Sequence, residues 1–332
     1  MKYRKLGNTG YDVSTIGFGT WQLGGHRWYA DSDDEQIELL RKANDLGVNI
    51  FDVATVYGQY KDENNYLQSR AQERLGIAFE NRRDKVIYCL KLGQFDEYSH
   101  RANYEPARLV EHFTQSLRRL KTDYVDICLI HAPSLQVIHD QQAITVLQTL
   151  QAQGYIKSIG YSFEAEPEHV HAALKQQIDV IMLQYNLLDK QCAEAIELAR
   201  QHGIGILVGG PFKRGYLSGK FHTINDLPTE DDYWRWNVNL NPGKVNGLLN
   251  AVNKMITEHY KTPEKLREAA IGFILKQEGA ASCIVGHRSI EEVIENITSA
   301  INATQQQQTP LSGDNSTNSS EKQKSGIKEL AL

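Results

Sequence analysis

Lys85-Val86-Ile87-Tyr88-Cys89-Leu90-Lys91 and Tyr124-Val125-Asp126-Ile127-Cys128-Leu129-Ile130-His131 are short apolar runs carrying β-branched residues. They flank Pro106–Leu120, where apolar residues recur at helical spacing. Strand, helix and strand in that order make a βαβ unit, whose strands lie parallel in one sheet. Upstream, the same strand signature predicts strands over Thr15–Gly19 and Asn49–Asp52. Downstream it predicts Ile156–Tyr161, Val180–Gln184, Ile204–Gly209 and Ser282–Val285. Helical spacing predicts helices over Asp33–Leu46, Glu63–Ala78, Gln141–Gln153, Glu166–Lys175, Lys190–His202, Pro263–Lys276 and Ile290–Ile301. Ser32 and Asp33 open the first of these, and Thr262-Pro263 places a proline at another helix entry.

Eight strand–helix units predict an α/β fold, the (β/α)8 TIM barrel. An open doubly wound sheet is the rival, but no G-x-G-x-x-G turn follows an early strand and the count stops at eight. Ahead of the first barrel strand, Lys2–Lys5 and Tyr11–Val13 flank Gly7-Asn8-Thr9-Gly10, which predicts a hairpin closing the barrel floor. Lys220–Asn246 is long and polar and carries Tyr233, Trp234 and Trp236; it is expected to be a lid or binding loop. Residues 303–332 are rich in Gln, Ser, Thr and Asn and hold no aromatic, so a disordered tail is expected after a barrel domain of 1–302.

Composition narrows the function. The 332 residues are 41% hydrophobic and 23% charged, enough apolar material for a large core, and the net charge of −5 offers no basic face to nucleic acid. No apolar run approaches the about 18 residues of a membrane helix, and MKYRKLGNTGYDV lacks the apolar stretch of a secretory signal. Cys89, Cys128, Cys192 and Cys283 lie far apart, and the histidines show no metal-ligand spacing. A cytoplasmic protein without membrane, nucleic-acid or metal partners is expected.

Three apolar strands end in residues that strands seldom favour: Asp52, Lys91 and His131. In a parallel barrel all C-terminal strand ends ring one mouth, so these three are expected to face one another, with Tyr57 on the loop after Asp52. Each alone has a plainer reading: a cap, a solvated strand end, a satisfied core histidine, a surface tyrosine. Together they make a proton donor. An ammonium beside a phenol is expected to lower its pKa from about 10. A carboxylate keeps the lysine charged, and an imidazole hydrogen-bonds a carbonyl oxygen.

Several long motifs then fall in one order. They are Arg4-Lys5-Leu6-Gly7-Asn8-Thr9-Gly10 with Gly17-Phe18-Gly19-Thr20-Trp21; Asn49-Ile50-Phe51-Asp52-Val53-Ala54 with Tyr57-Gly58; and Ser116-Leu117-Arg118-Arg119-Leu120 with Asp123-Tyr124-Val125-Asp126 and Ile130-His131-Ala132-Pro133. Over about residues 3–302 the chain resembles the aldo-keto reductase superfamily. Val53 stands where that family usually has threonine. The resemblance implies Asp52, Tyr57, Lys91 and His131 as the catalytic tetrad, Tyr57 as general acid, and a nicotinamide cofactor held without a Rossmann fold.

The resemblance also implies a cofactor site. Thr20 and Trp21 border it, and Ser162 and Gln184 contact the nicotinamide carboxamide, with Phe163 in place of the family's asparagine. Pro211, Phe212, Gly215, Leu217 and Lys220 belong to the pyrophosphate loop; Gly286, Arg288, Glu292, Glu295 and Asn296 belong to the adenosine-ribose site. A carboxylate at Glu292 suits NADH, but an arginine fork at Arg288 suits a 2′-phosphate more strongly, so NADPH is the expected cofactor and NADH the alternative. Trp21 and Tyr233–Trp236 are expected to wall the substrate pocket. The implied activity is reversible NAD(P)H-dependent reduction of a small carbonyl or sugar substrate. An NAD-dependent sugar or polyol dehydrogenase, or a cofactor-binding regulatory subunit, are the alternatives.

Overall fold

The structure, a computed structural model, describes residues 1–25, 32–93, 104–228 and 230–305. A hairpin of β1 (Tyr3–Lys5) and β2 (Asp12–Ser14) leads into β3 (Ile16–Gly19), α1 (Asp33–Asp45) and β4 (Ile50–Ala54). A second hairpin, β5 (Gln59–Lys61) and β6 (Leu67–Ser69), precedes α2 (Arg70–Phe79), β7 (Ile87–Leu92), α3 (Pro106–Arg119) and β8 (Val125–His131). Next come α4 (Leu135–Asp140), α5 (Gln142–Ala152), β9 (Ile156–Ser162), α6 (Pro167–Ala173) and β10 (Val180–Gln184). The remaining elements are α7 (Ala193–Gln201), β11 (Gly205–Gly209), α8 (Asp232–Leu240), α9 (Pro242–Met255), α10 (Pro263–Leu275), β12 (Ala280–Gly286) and α11 (Ile290–Gln305).

β3, β4 and β7 to β12 form a closed parallel barrel in chain order, with β12 pairing back onto β3. All eight predicted strands are present. Their alternation sorts side chains onto two faces. Ile50, Ile87, Cys89, Ile127, Leu129, Val180, Met182, Leu207 and Ile284 fill the barrel interior. Phe18, Phe51, Val53, Tyr88, Leu90, Cys128 and Ile130 pack in the layer shared with the helices. The first hairpin closes the floor as expected: Leu6 and Val13 join the interior cluster, and Asn8 N donates to Gly203 O at 2.8 Å.

Three expectations change. Glu63–Ala78 is helical only from Arg70. Asp62 accepts from Asn64 N at 3.0 Å, Tyr66 N at 2.9 Å and Gln68 Nε2 at 2.7 Å, and this folds the preceding residues into the β5–β6 turn. Lys220–Asn246 is not one open loop, because it contains α8 and enters α9. Trp234, Tyr216, Leu217, Leu249 and Val252 give that insert its own apolar cluster against Leu266 and Ala270 of α10. Finally, α11 passes the boundary expected at 302, and Ala303 and Thr304 are buried. Residues 306–332, where the disordered tail is expected, lie outside the described residues.

Candidate active site

Strand parity brings the site together. Asp52 follows Ile50 on the interior face of β4, Lys91 follows Ile87 and Cys89 on β7, and His131 follows Ile127 and Leu129 on β8. All three therefore sit in the last interior layer, at the C-terminal mouth. Lys91 Nζ donates to Asp52 Oδ2 at 2.8 Å and to the Tyr57 hydroxyl at 2.7 Å. The rings of Tyr57 and His131 meet edge-on with centroids 6.1 Å apart. Asp52, Lys91 and Tyr57 are all buried.

Tyr57 is held by a backbone contact that only glycines permit. A Cβ on Gly58, whose φ is +66°, would lie 2.1 Å from Gly24 O, and a Cβ on Gly24 would lie 2.5 Å from Gly58 N. The loop after β4 is thereby pressed onto the turn after Trp21. Ser69 Oγ donates to Tyr57 O at 2.9 Å from the other side. Thr20 Oγ1 donates to Asp52 O at 2.9 Å, joining the ends of β3 and β4. Tyr104 Oη donates to the backbone carbonyls of His131 and Ala132, each at 2.8 Å.

The electrostatics differ in one respect from expectation. The Tyr57 phenol is pushed up, to about 12, because burial outweighs the opposing Lys91 ammonium. Lys91 itself stays charged: burial works against it, but Asp52 and Tyr57 together more than compensate. Burial pushes Asp52 up, opposed by Lys91. Burial and the Lys91 charge hold His131 well below the usual histidine value, so its imidazole is neutral at pH 7. The mouth thus holds a protonated phenol, an ammonium and a neutral imidazole side by side.

Ser162, Gln184, Gly209 and Gly286 are the interior-facing terminal residues of β9, β10, β11 and β12, and complete the same ring. A Cβ on Gly209 would meet nothing nearer than Leu183 O at 4.0 Å, so that stretch of the rim is open. An amide side chain beside open backbone suits a flat ring bearing a carboxamide. Pro211 and Leu217 are buried, and Gly215, with φ +106°, turns the chain after Phe212. The cationic groups beyond are engaged by carboxylates: Lys220 Nζ lies 2.7 Å from Glu292 Oε1, Arg288 pairs with buried Asp231, and Arg267 pairs with Glu295. Asn296 is buried.

The aromatic residues expected to wall the pocket take different positions. Trp21 lies 6.3 Å from Tyr57 and meets Tyr233 edge-on at 5.8 Å, but Trp234 turns into the insert's core and Trp236 is 62% exposed. Sequence reasoning missed Asp231, Gly24, Tyr104 and Glu164. No motif marks them, because each acts through a partner remote in sequence. Glu164 accepts a hydrogen bond from Gln184 Nε2 and lies 3.7 Å from Arg214.

A closed parallel barrel with a buried Asp–Lys–Tyr cluster and a histidine at its C-terminal mouth defines a structural class of barrel proteins. The comparisons make the class specific. The family model described as the aldo/keto reductase family matches residues 15–311, and the chain belongs to that family. It is 30% identical over 298 residues to the aldo-keto reductase YhdN of Bacillus subtilis, covering 87% of this chain and 85% of that one. It is 28% identical over 315 residues to the NADH-specific methylglyoxal reductase of Escherichia coli, covering 90% and 93%. The holo form of aldo-keto reductase AKR11C1 from Bacillus halodurans superposes with a TM-score of 0.71 at 25% identity, covering 100% of this chain and 97% of that one. The protein is thus an oxidoreductase of a family that works with nicotinamide cofactors. Among the described residues no helix is long and apolar enough to cross a membrane.

Proposed function

We propose that this chain reversibly reduces a small aldehyde or ketone to the alcohol, with Tyr57 as the proton donor. The observation that carries this reading is Lys91 Nζ donating to both Asp52 and the Tyr57 hydroxyl. Because the phenol oxygen accepts from Lys91, its own hydrogen is free to point into the mouth. The dinucleotide, when bound, supplies the hydride. Tyr57 then gives its proton to the substrate oxygen, and the Lys91 ammonium stabilises the phenolate left behind. Asp52 keeps Lys91 charged and aimed, and the neutral His131 imidazole orients the carbonyl by donating an N–H.

Gln184 and Ser162 would hold the carboxamide, Gly209–Leu217 the pyrophosphate, and Gly286–Asn296 the adenosine. For a 2′-phosphate, Arg288 is already paired with Asp231, and Lys220 and Arg267 are engaged by Glu292 and Glu295. This favours NADH over the NADPH that Arg288 alone suggests, and the NADH-specific name of one relative points the same way. The oxidative, polyol-dehydrogenase direction uses the same four residues, with Tyr57 as base. A purely regulatory role would leave that buried charge cluster without use.

The test is Tyr57→Phe. Removing the proton donor is expected to lower turnover about 10²–10⁴-fold, while fluorescence titration shows unchanged NADH binding, tighter than NADPH binding. Turnover near the parent's would remove Tyr57 from its role.

A further inference from the structure

The β9–β10 ladder does not stop at the ends of the strands. Phe163 N donates to Met182 O at 2.8 Å and Gln184 N donates to Glu164 O at 3.0 Å. This continued pairing sets the Glu164 side chain directly beside that of Gln184, and the carboxylate accepts from Gln184 Nε2. Arg214 stands on the far side of the same carboxylate at 3.7 Å, and donates to the Tyr233 hydroxyl at 3.3 Å. The carbonyl end of Gln184 faces the opposite way: a Cβ on Gly210 would lie 3.1 Å from its Oε1.

A side-chain amide is ambivalent, since turning it over exchanges donor for acceptor. A carboxylate is not, because when ionised it only accepts. A carboxylate beside Gln184 therefore ties down the NH₂ end and leaves the oxygen presented toward the glycine loop. An asparagine or glutamine at position 164 would allow both orientations.

We infer that Glu164 is a positioning residue that locks the Gln184 amide with its oxygen outward, so that the site selects a cofactor ring bearing a primary carboxamide NH₂. This rests on the dinucleotide reading above and adds to it the group that is recognised. Ser162, buried on the neighbouring strand end, carries the hydroxyl donor that complements the carboxamide oxygen. The Glu164 charge reaches the reaction as well. It adds to the burial that pushes up the Tyr57 phenol, which Lys91 opposes and Asp52 reinforces, while His131 faces the same phenol.

The experiment compares the parent with Glu164→Gln and Glu164→Ala by titration with three probes: NADH, its 3-acetylpyridine analogue, which lacks the NH₂, and ADP-ribose, which lacks the ring. The parent is expected to prefer NADH over the analogue. Both variants are expected to lose about five- to tenfold of that preference, the worth of one neutral hydrogen bond, with ADP-ribose affinity unchanged. The alkaline fall in reduction rate is also expected to move to lower pH, since removing a negative charge eases ionisation of the phenol. An unchanged NADH-to-analogue ratio, or an equal loss for ADP-ribose, would overturn the assignment. Failure of the parent to bind NADH or NADPH would instead strike the dinucleotide reading itself.

Discussion

His287 lies one residue beyond Gly286, and strand parity turns it away from the mouth into the layer between sheet and helices. It is fully buried, its ring centroid is 4.8 Å from that of Phe18, and neither ring nitrogen has a hydrogen-bond partner among the described residues. Burial lowers its pKa to about 4; Glu292 opposes the shift and Lys220 adds to it. The unfolded chain therefore takes up a proton between pH 6.5 and 4 that the folded chain refuses, and stability falls as pH falls through that window. The full loss is about 3 kcal/mol at 1.36 kcal/mol per unit. His287→Phe removes this term. Urea unfolding at pH 7.5 and 4.5 is expected to show a smaller acid-side loss in the variant, and equal losses would refute the assignment. The same parity rule put Asp52, Lys91 and His131 within reach of a sequence reading, whereas the net direction of the Tyr57 shift was not. Spacing identifies a neighbouring ammonium, but only packing reveals how much water the phenol has lost.

Among the elements, the insert between β11 and α10 departs most from its sequence reading. Lys220–Asn246 lacks a long apolar periodicity, so α8 is stabilised by tertiary packing rather than by propensity. Trp234 is the centre of that packing, edge-on to Tyr216 and Tyr233 at 5.2 Å each and to Phe221 at 5.6 Å. Trp234→Ala is expected to cost about 3–5 kcal/mol, as for other large buried aromatics. Because Tyr233 touches Trp21 beside Tyr57, KM for the carbonyl substrate should rise while kcat changes less. Calorimetry and steady-state kinetics check both, and an unaltered KM would detach the insert from the pocket.

At the scale of the whole molecule, α11 carries the packed fold past Asn302. Lys2 Nζ donates to Thr304 Oγ1 at 3.0 Å, and Ala303 packs so closely on Gly272 of α10 that a Cβ there would lie 2.8 Å from it. We propose that the barrel domain does not end at Asn302 but includes Ala303 and Thr304. Truncation after Gln305 should leave melting temperature and activity unchanged. Truncation after Asn302 should lower the melting temperature, by about 2–4 °C for each kcal/mol lost. Equal melting temperatures for the two would refute that boundary.

Short apolar runs alternating with helical segments determined the barrel and its strand order, and the strand's period of two delivers a carboxylate, an ammonium and an imidazole to one rim. These are local properties, and one chain segment at a time carries them. The contacts of Gly24 with Gly58, Asp231 with Arg288 and Glu164 with Gln184 were decided only in the folded molecule. Each joins residues whose distance along the chain gives no sign of their nearness, and the burial that sets each ionisation depends on such neighbours too. Desolvation and long-range pairing are sums over neighbours, and the neighbours exist only once the barrel has closed.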